Sequence, residues 1–151
     1  MRGLESNDGG AISRSVDVSD SRAAFERRVR VGADLENLAT LREQTKAFVR
    51  QGGGGGDLAE DFGLAVSELA TNVVQHSGAE YITVTLRRDD ESWRLDVDDA
   101  DGVPEIDAMA APEASTPTGR GLVVVRAIMD DVRVVEVGGG TVLRCVRWSR
   151  T

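Results

Sequence analysis

The feature that most constrains this chain is a polar row laid along an apolar helix pattern. Within Phe62 to His76, the residues Glu68, Asn72 and His76 stand four apart. In an α-helix each four-residue step rises about 6 Å and turns about 40°, so the three side chains form a slowly drifting row. Phe62, Ala65, Val66, Leu69 and Val73 make the adjacent stripe, which belongs against a core. The row therefore runs along the edge of the buried face, where a carboxylate and an amide are costly unless something satisfies them. Taken alone, the helix leaves two explanations open: polar side chains that simply meet water, or one wall of a site.

With 151 residues, 40% of them hydrophobic, the chain suits one domain with one core. Aromatics are only 4%, so that core is aliphatic, as in α/β layer folds. A formal net charge of −8 argues against a general nucleic-acid binder, which needs a basic face for phosphates. A nucleotide can still be held by backbone amides, a helix N-terminus and a metal ion. The single cysteine, Cys145, excludes an intramolecular disulfide and a cysteine metal cluster. It stands in an apolar strand-like run and is expected in the core. No run resembles a signal peptide or approaches a membrane span, so the expected location is the cytoplasm, without membrane contact.

Residues 1–21, rich in Ser, Asp, Gly and Arg, read as a flexible tail, and residues 22–151 as the folded domain. Phe25 to Val31 suits a short strand. Asp34 is a candidate cap for a helix from Leu35 to about Val49, with Leu35, Leu38, Leu41, Thr45 and Phe48 on its inward side. Gly52 to Gly56 end it. No Lys-Ser or Lys-Thr follows them, so the P-loop pattern fails and a connector is expected. Asp57 then caps the helix that carries the polar row. Tyr81 to Arg87 and Trp93 to Val97 alternate like a hairpin. Asp98 to Thr118, with three prolines, reads as a long functional loop. Leu122 to Met129 suits an apolar helix, and Val132 to Val137 with Thr141 to Trp148 a closing hairpin. This order predicts an α+β fold: a two-layer sandwich with helices on one face of a mixed, mostly antiparallel sheet.

Four separated elements carry a family resemblance. Glu68-Leu69-Ala70-Thr71-Asn72, with His76, resembles the N box of the GHKL (histidine-kinase-like) ATPases. Asp99 resembles the adenine-binding aspartate of their first glycine box, Gly119-Arg120-Gly121-Leu122 the second glycine box, and Gly140-Thr141 the third. Within that superfamily the run from Gly121 to Val132 looks most like the bacterial anti-sigma-factor serine/threonine kinases. The resemblance covers about Phe25 to Trp148.

That resemblance implies the Bergerat ATP-binding fold, with ATP and Mg²⁺ as cofactors. Asn72 would offer an oxygen to Mg²⁺, and Glu68 would act as the catalytic base toward a substrate hydroxyl. His76, about 12 Å along the axis from Glu68, is expected to be structural or lid-contacting rather than catalytic, and is grouped with the nucleotide-binding residues. Asp99 would accept the adenine amino group. It shares a strand face with Leu95 and Val97, whereas Asp98 points away. Counting from Asp98 instead places Gly102 at a glycine position, so the register stays open between the two; counting from Asp99, the glycine positions hold Asp101 and Val103. Gly119, Arg120, Gly121 and Leu122 would hold phosphates at a helix start, and Thr141 would lie under the adenine.

The function implied is an anti-sigma factor that binds a sigma factor and phosphorylates an anti-anti-sigma antagonist on serine, acting as a homodimer. A non-catalytic nucleotide-binding or protein-only regulatory module is the alternative.

Overall fold

The computed structural model describes residues 16–21, 25–76, 78–98, 117–138 and 140–149. Six strands and three helices follow in the order β1 (Val16–Ser21), β2 (Phe25–Gly32), α1 (Leu38–Gln51), α2 (Gly56–His76), β3 (Tyr81–Arg88), β4 (Ser92–Asp98), α3 (Pro117–Ile128), β5 (Asp131–Val137) and β6 (Gly140–Trp148). The strands form one sheet in the order β1-β2-β3-β4-β6-β5, and every neighbouring pair is antiparallel. The expected mixed sheet is thus wholly antiparallel among the described strands.

Strand alternation decides which face the helices cover. Val29 and Val31, Ile82, Val84 and Leu86, then Leu95 and Val97, and finally Leu143 and Cys145 are all buried in one core with Leu41, Phe48, Phe62, Val66 and Leu69 of the helices. Residues one step out of phase turn to the uncovered face. There Asp96 is buried all the same, because Arg144 on the neighbouring strand donates to both its carboxylate oxygens at 2.9 Å.

Three boundaries differ from those expected. Residues 16–21 form an edge strand paired with β2, inside the segment read as a tail. Its apolar residues Val16 and Val18 stay exposed, so two alternations without burial left little pattern to read. The helix expected at Leu35 starts as a 3-10 turn over Leu35–Asn37, which leaves Leu35 exposed rather than inward, and Asp34 makes no capping bond. The Asn37 amide instead donates to Gly32 O at 2.9 Å, tying the turn to the end of β2. Finally, α3 starts at Pro117, a proline-tolerant first position, rather than at Leu122.

The glycine tract closes α1. Gly53 has φ 91°, a left-handed conformation that glycine adopts without steric cost. Gly54 N donates to Val49 O at 2.8 Å, and Gly52 N to Phe48 O at 3.0 Å. The tract works as a helix stop and connector, and α2 begins on its last glycine, Gly56, so Asp57 lies within the first turn rather than at the cap.

Candidate functional site

The polar row sits as its spacing requires. Ala59, Phe62, Ala65, Val66, Leu69 and Val73 bury one side of α2. Glu68, partly buried, lies at the margin of that side, and Asn72 is buried at 6% exposure. His76 is exposed in the last turn.

Against Glu68 and Asn72 lies α3. A Cβ on Gly121 would sit 3.2 Å from Glu68 Oε1, 3.4 Å from Asn72 Nδ2 and 3.7 Å from Asn72 Oδ1. The helix can come this close because position 121 carries no side chain. The second glycine box lies within the first turn and a half of α3, with Gly119, Arg120 and Gly121 in helix and Leu122 buried in the core at 2% exposure. Residues 53 positions apart in sequence, the N-box carboxylate and the second glycine box, meet at one point.

On the sheet, Leu95 and Val97 face the core and Asp96 faces away, in the phase expected of β4. Asp99 and Gly102 lie outside the described residues. Thr141 pairs with Glu136 near the hairpin tip and shares a face with core-lining Leu143 and Cys145.

Among the described residues, no three His, Cys, Asp or Glu side chains are placed to hold a metal ion. The donor set at Asn72 and Glu68 is oxygen-bearing, which suits Mg²⁺; that ion binds through one or two protein oxygens together with phosphates and water. Asn72 is the residue that fits such an ion, and the start of the twelve-residue α3 offers unpaired backbone N–H groups and a positive dipole end to phosphates.

Two polar arrangements went unread in the sequence. Arg147 Nη1 donates both to Asp61 Oδ2 in α2 and to Ile128 O at the end of α3, each at 2.9 Å. Arg42 Nη1 reaches Ser67 Oγ at 3.4 Å, joining α1 to α2 beside Glu68. Both depend on long-range packing, and no local spacing announces either. Burial pushes the Cys145 thiol far above its ordinary ionisation range. Hydrogen bonding to Asp96 raises the Arg144 guanidinium, while desolvation lowers that of Arg94.

The chain belongs to the histidine kinase-like ATPase domain family, whose sequence pattern matches residues 31–147. Among solved structures it is similar to the RsbU and RsbW domains of Rv1364c from Mycobacterium tuberculosis, with 22% sequence identity and a TM-score of 0.55. That match covers 82% of this chain and 33% of the other, so the chain spans about a third of the length of that relative. The likeness is one of fold. No curated protein matches the sequence.

Proposed function

We propose that this chain is an ATP- and Mg²⁺-dependent protein serine/threonine kinase that acts as an anti-sigma regulatory factor. It would hold a sigma factor and phosphorylate an anti-anti-sigma antagonist on serine, as a cytoplasmic homodimer. The observation that carries the reading is the contact of Gly121 with Glu68 and Asn72, in a chain whose family is a family of ATPase domains. The likeness to a structure that contains an RsbW domain supports the regulatory half. No helix among the described residues is long and apolar enough to cross a membrane.

The cofactors supply a γ-phosphoryl group and a divalent charge that neutralises its oxygens. Toward them, Asn72 offers its side-chain oxygen, and the backbone N–H groups at the start of α3 bind phosphate oxygens. Glu68 would take the proton of the substrate serine, leaving the serine oxygen to accept the phosphoryl group. The nucleotide would supply the phosphoryl group and carry away its diphosphate as the leaving group. A carboxylate at the edge of a core holds its orientation better than one on a mobile loop, which is what proton transfer from a positioned hydroxyl needs. Asp99 would accept the adenine amino group, with Gly102, Thr141, Arg120 and His76 completing the nucleotide surroundings.

Transfer of labelled phosphate from ATP to an antagonist protein tests the reading. Transfer that persists at full rate in Glu68→Ala rules out the catalytic assignment. The absence of glycine at Asp101 and Val103 favours a second reading, a nucleotide-sensing module without turnover. Tight ATP binding with no transfer to any antagonist would select it.

A further inference from the structure

We infer that Arg147 is a positioning residue: it pins the C-terminal end of α3 and thereby sets how α3 lies over Glu68 and Asn72. The inference rests on the nucleotide-site reading above. The two ends of α3 meet α2 at different heights, with Gly121 against Glu68 and Asn72 and Ile128 tied through Arg147 to Asp61. The helices therefore run antiparallel, with the proposed site at one end of their contact and the arginine at the other.

The chemistry of the clamp is specific to arginine. One terminal guanidinium nitrogen carries two hydrogens and so serves two acceptors, here Asp61 Oδ2 and Ile128 O, both at 2.9 Å. Ile128 O is among the last carbonyls of α3, which have no partner within the helix and favour a cation beside them. The ion pair is only partly exposed, 25% for Arg147 and 33% for Asp61. The turn beyond α3 is fixed as well. Asp130 N donates to Val146 O at 2.8 Å, and Trp148 N donates to Asp130 Oδ2 at 2.7 Å. Thus the last strand grips this end of the helix on both sides of Arg147.

A clamp at one end acts as a lever at the other. Seven residues at about 1.5 Å each place Gly121 about 10 Å from Ile128, so a tilt of about 6° moves it by about 1 Å. Displacements of that size at a reacting centre change rates by up to about a hundredfold. Gly121 already has less room than a methyl group needs, so small tilts register directly on Glu68 and Asn72.

The test compares the full chain with Arg147→Gln, Asp61→Asn and Arg147→Lys. ATP affinity is read by calorimetry, and the α3 amides by hydrogen exchange. Ile82→Val, in the core on β3 opposite Val31 of β2, serves as a control for simple loss of stability. Arg147→Gln is expected to weaken ATP binding about tenfold and to speed α3 exchange relative to the sheet. Asp61→Asn should do so less, and Arg147→Lys should recover part of both. Unchanged α3 exchange in Arg147→Gln overturns the inference, and so does an equal affinity loss in Ile82→Val. If the native chain binds no ATP, the functional reading falls and α3 exchange alone decides the positioning role.

Discussion

Gly121 lies against Glu68 so closely that a single added carbon would sit 3.2 Å from its Oε1. This contact joins a residue of the long central helix to one in the helix that follows the 99–116 segment. It gives position 121 an unusual energetic character. Glycine in a helix interior costs about 1 kcal/mol relative to alanine, and that cost is retained here at a buried position.

Gly121→Ala should therefore separate stability from binding. Helix propensity gains up to about 1 kcal/mol, while the new methyl group pushes Glu68 and Asn72 outward by a few tenths of an ångström. Thermal unfolding is expected to change little or to rise, with ATP affinity reduced about tenfold, equivalent to about 1.4 kcal/mol. Both are readable on one preparation by scanning and titration calorimetry.

Glu68→Gln keeps the size of the side chain and removes the base. Phosphoryl transfer is expected to fall by about 10²- to 10⁴-fold, the usual worth of a positioned general base, with ATP affinity within about threefold of the native chain. Transfer assays and calorimetry on the same variant check the two halves separately.

Asp96 and Arg144 form a bidentate pair on the uncovered sheet face, with Asp96 side-chain exposure of only 8%. Arg144→Met leaves that carboxylate with Arg94 alone, 3.8 Å away. Removing one partner of a buried pair costs about 3–5 kcal/mol. The partial exposure of Arg144 moderates this, so a loss of about 2 kcal/mol is expected by urea unfolding.

Cys145 is fully buried and its thiol is held neutral by burial. Its ionisation is thus raised in the folded state relative to the ordinary unfolded value of about 8.5. The stability it contributes is complete below that pH and is lost as pH rises above it, by up to about 1.4 kcal/mol per unit. The slope of unfolding free energy between pH 8.5 and about 10 should flatten in Cys145→Ala. Thiol labelling of the native chain should proceed only as fast as it unfolds.

Patterns that depend on one element were readable before the fold was known. The stripe from Phe62 to Val73 places α2, and the alternation of Ile82, Val84 and Leu86 places β3 with its buried face. Elements set by contacts across the chain were not. Alternation along β4 turns Asp96 away from the core, but only the β4–β6 register sets Arg144 opposite it. Asp34 reads as a helix cap, yet its side chain makes no capping bond, and the turn is held instead by the Asn37 amide donating to Gly32 O of the strand. Gly119, Arg120 and Gly121 read as the opening of a helix that runs from Leu122. Pro117 starts the helix before them, and the missing side chain at Gly121 serves the approach of α3 to α2. The clamp at Arg147 has no local signature, because its acceptors lie 86 and 19 residues away.

The most direct measurement is titration calorimetry of ATP into the native chain and Asn72→Ala, with and without Mg²⁺. The nucleotide-site assignment predicts saturable binding that Mg²⁺ strengthens in the native chain, with that strengthening lost in Asn72→Ala. Absence of ATP binding by the native chain, or an equal Mg²⁺ effect in both, would contradict it.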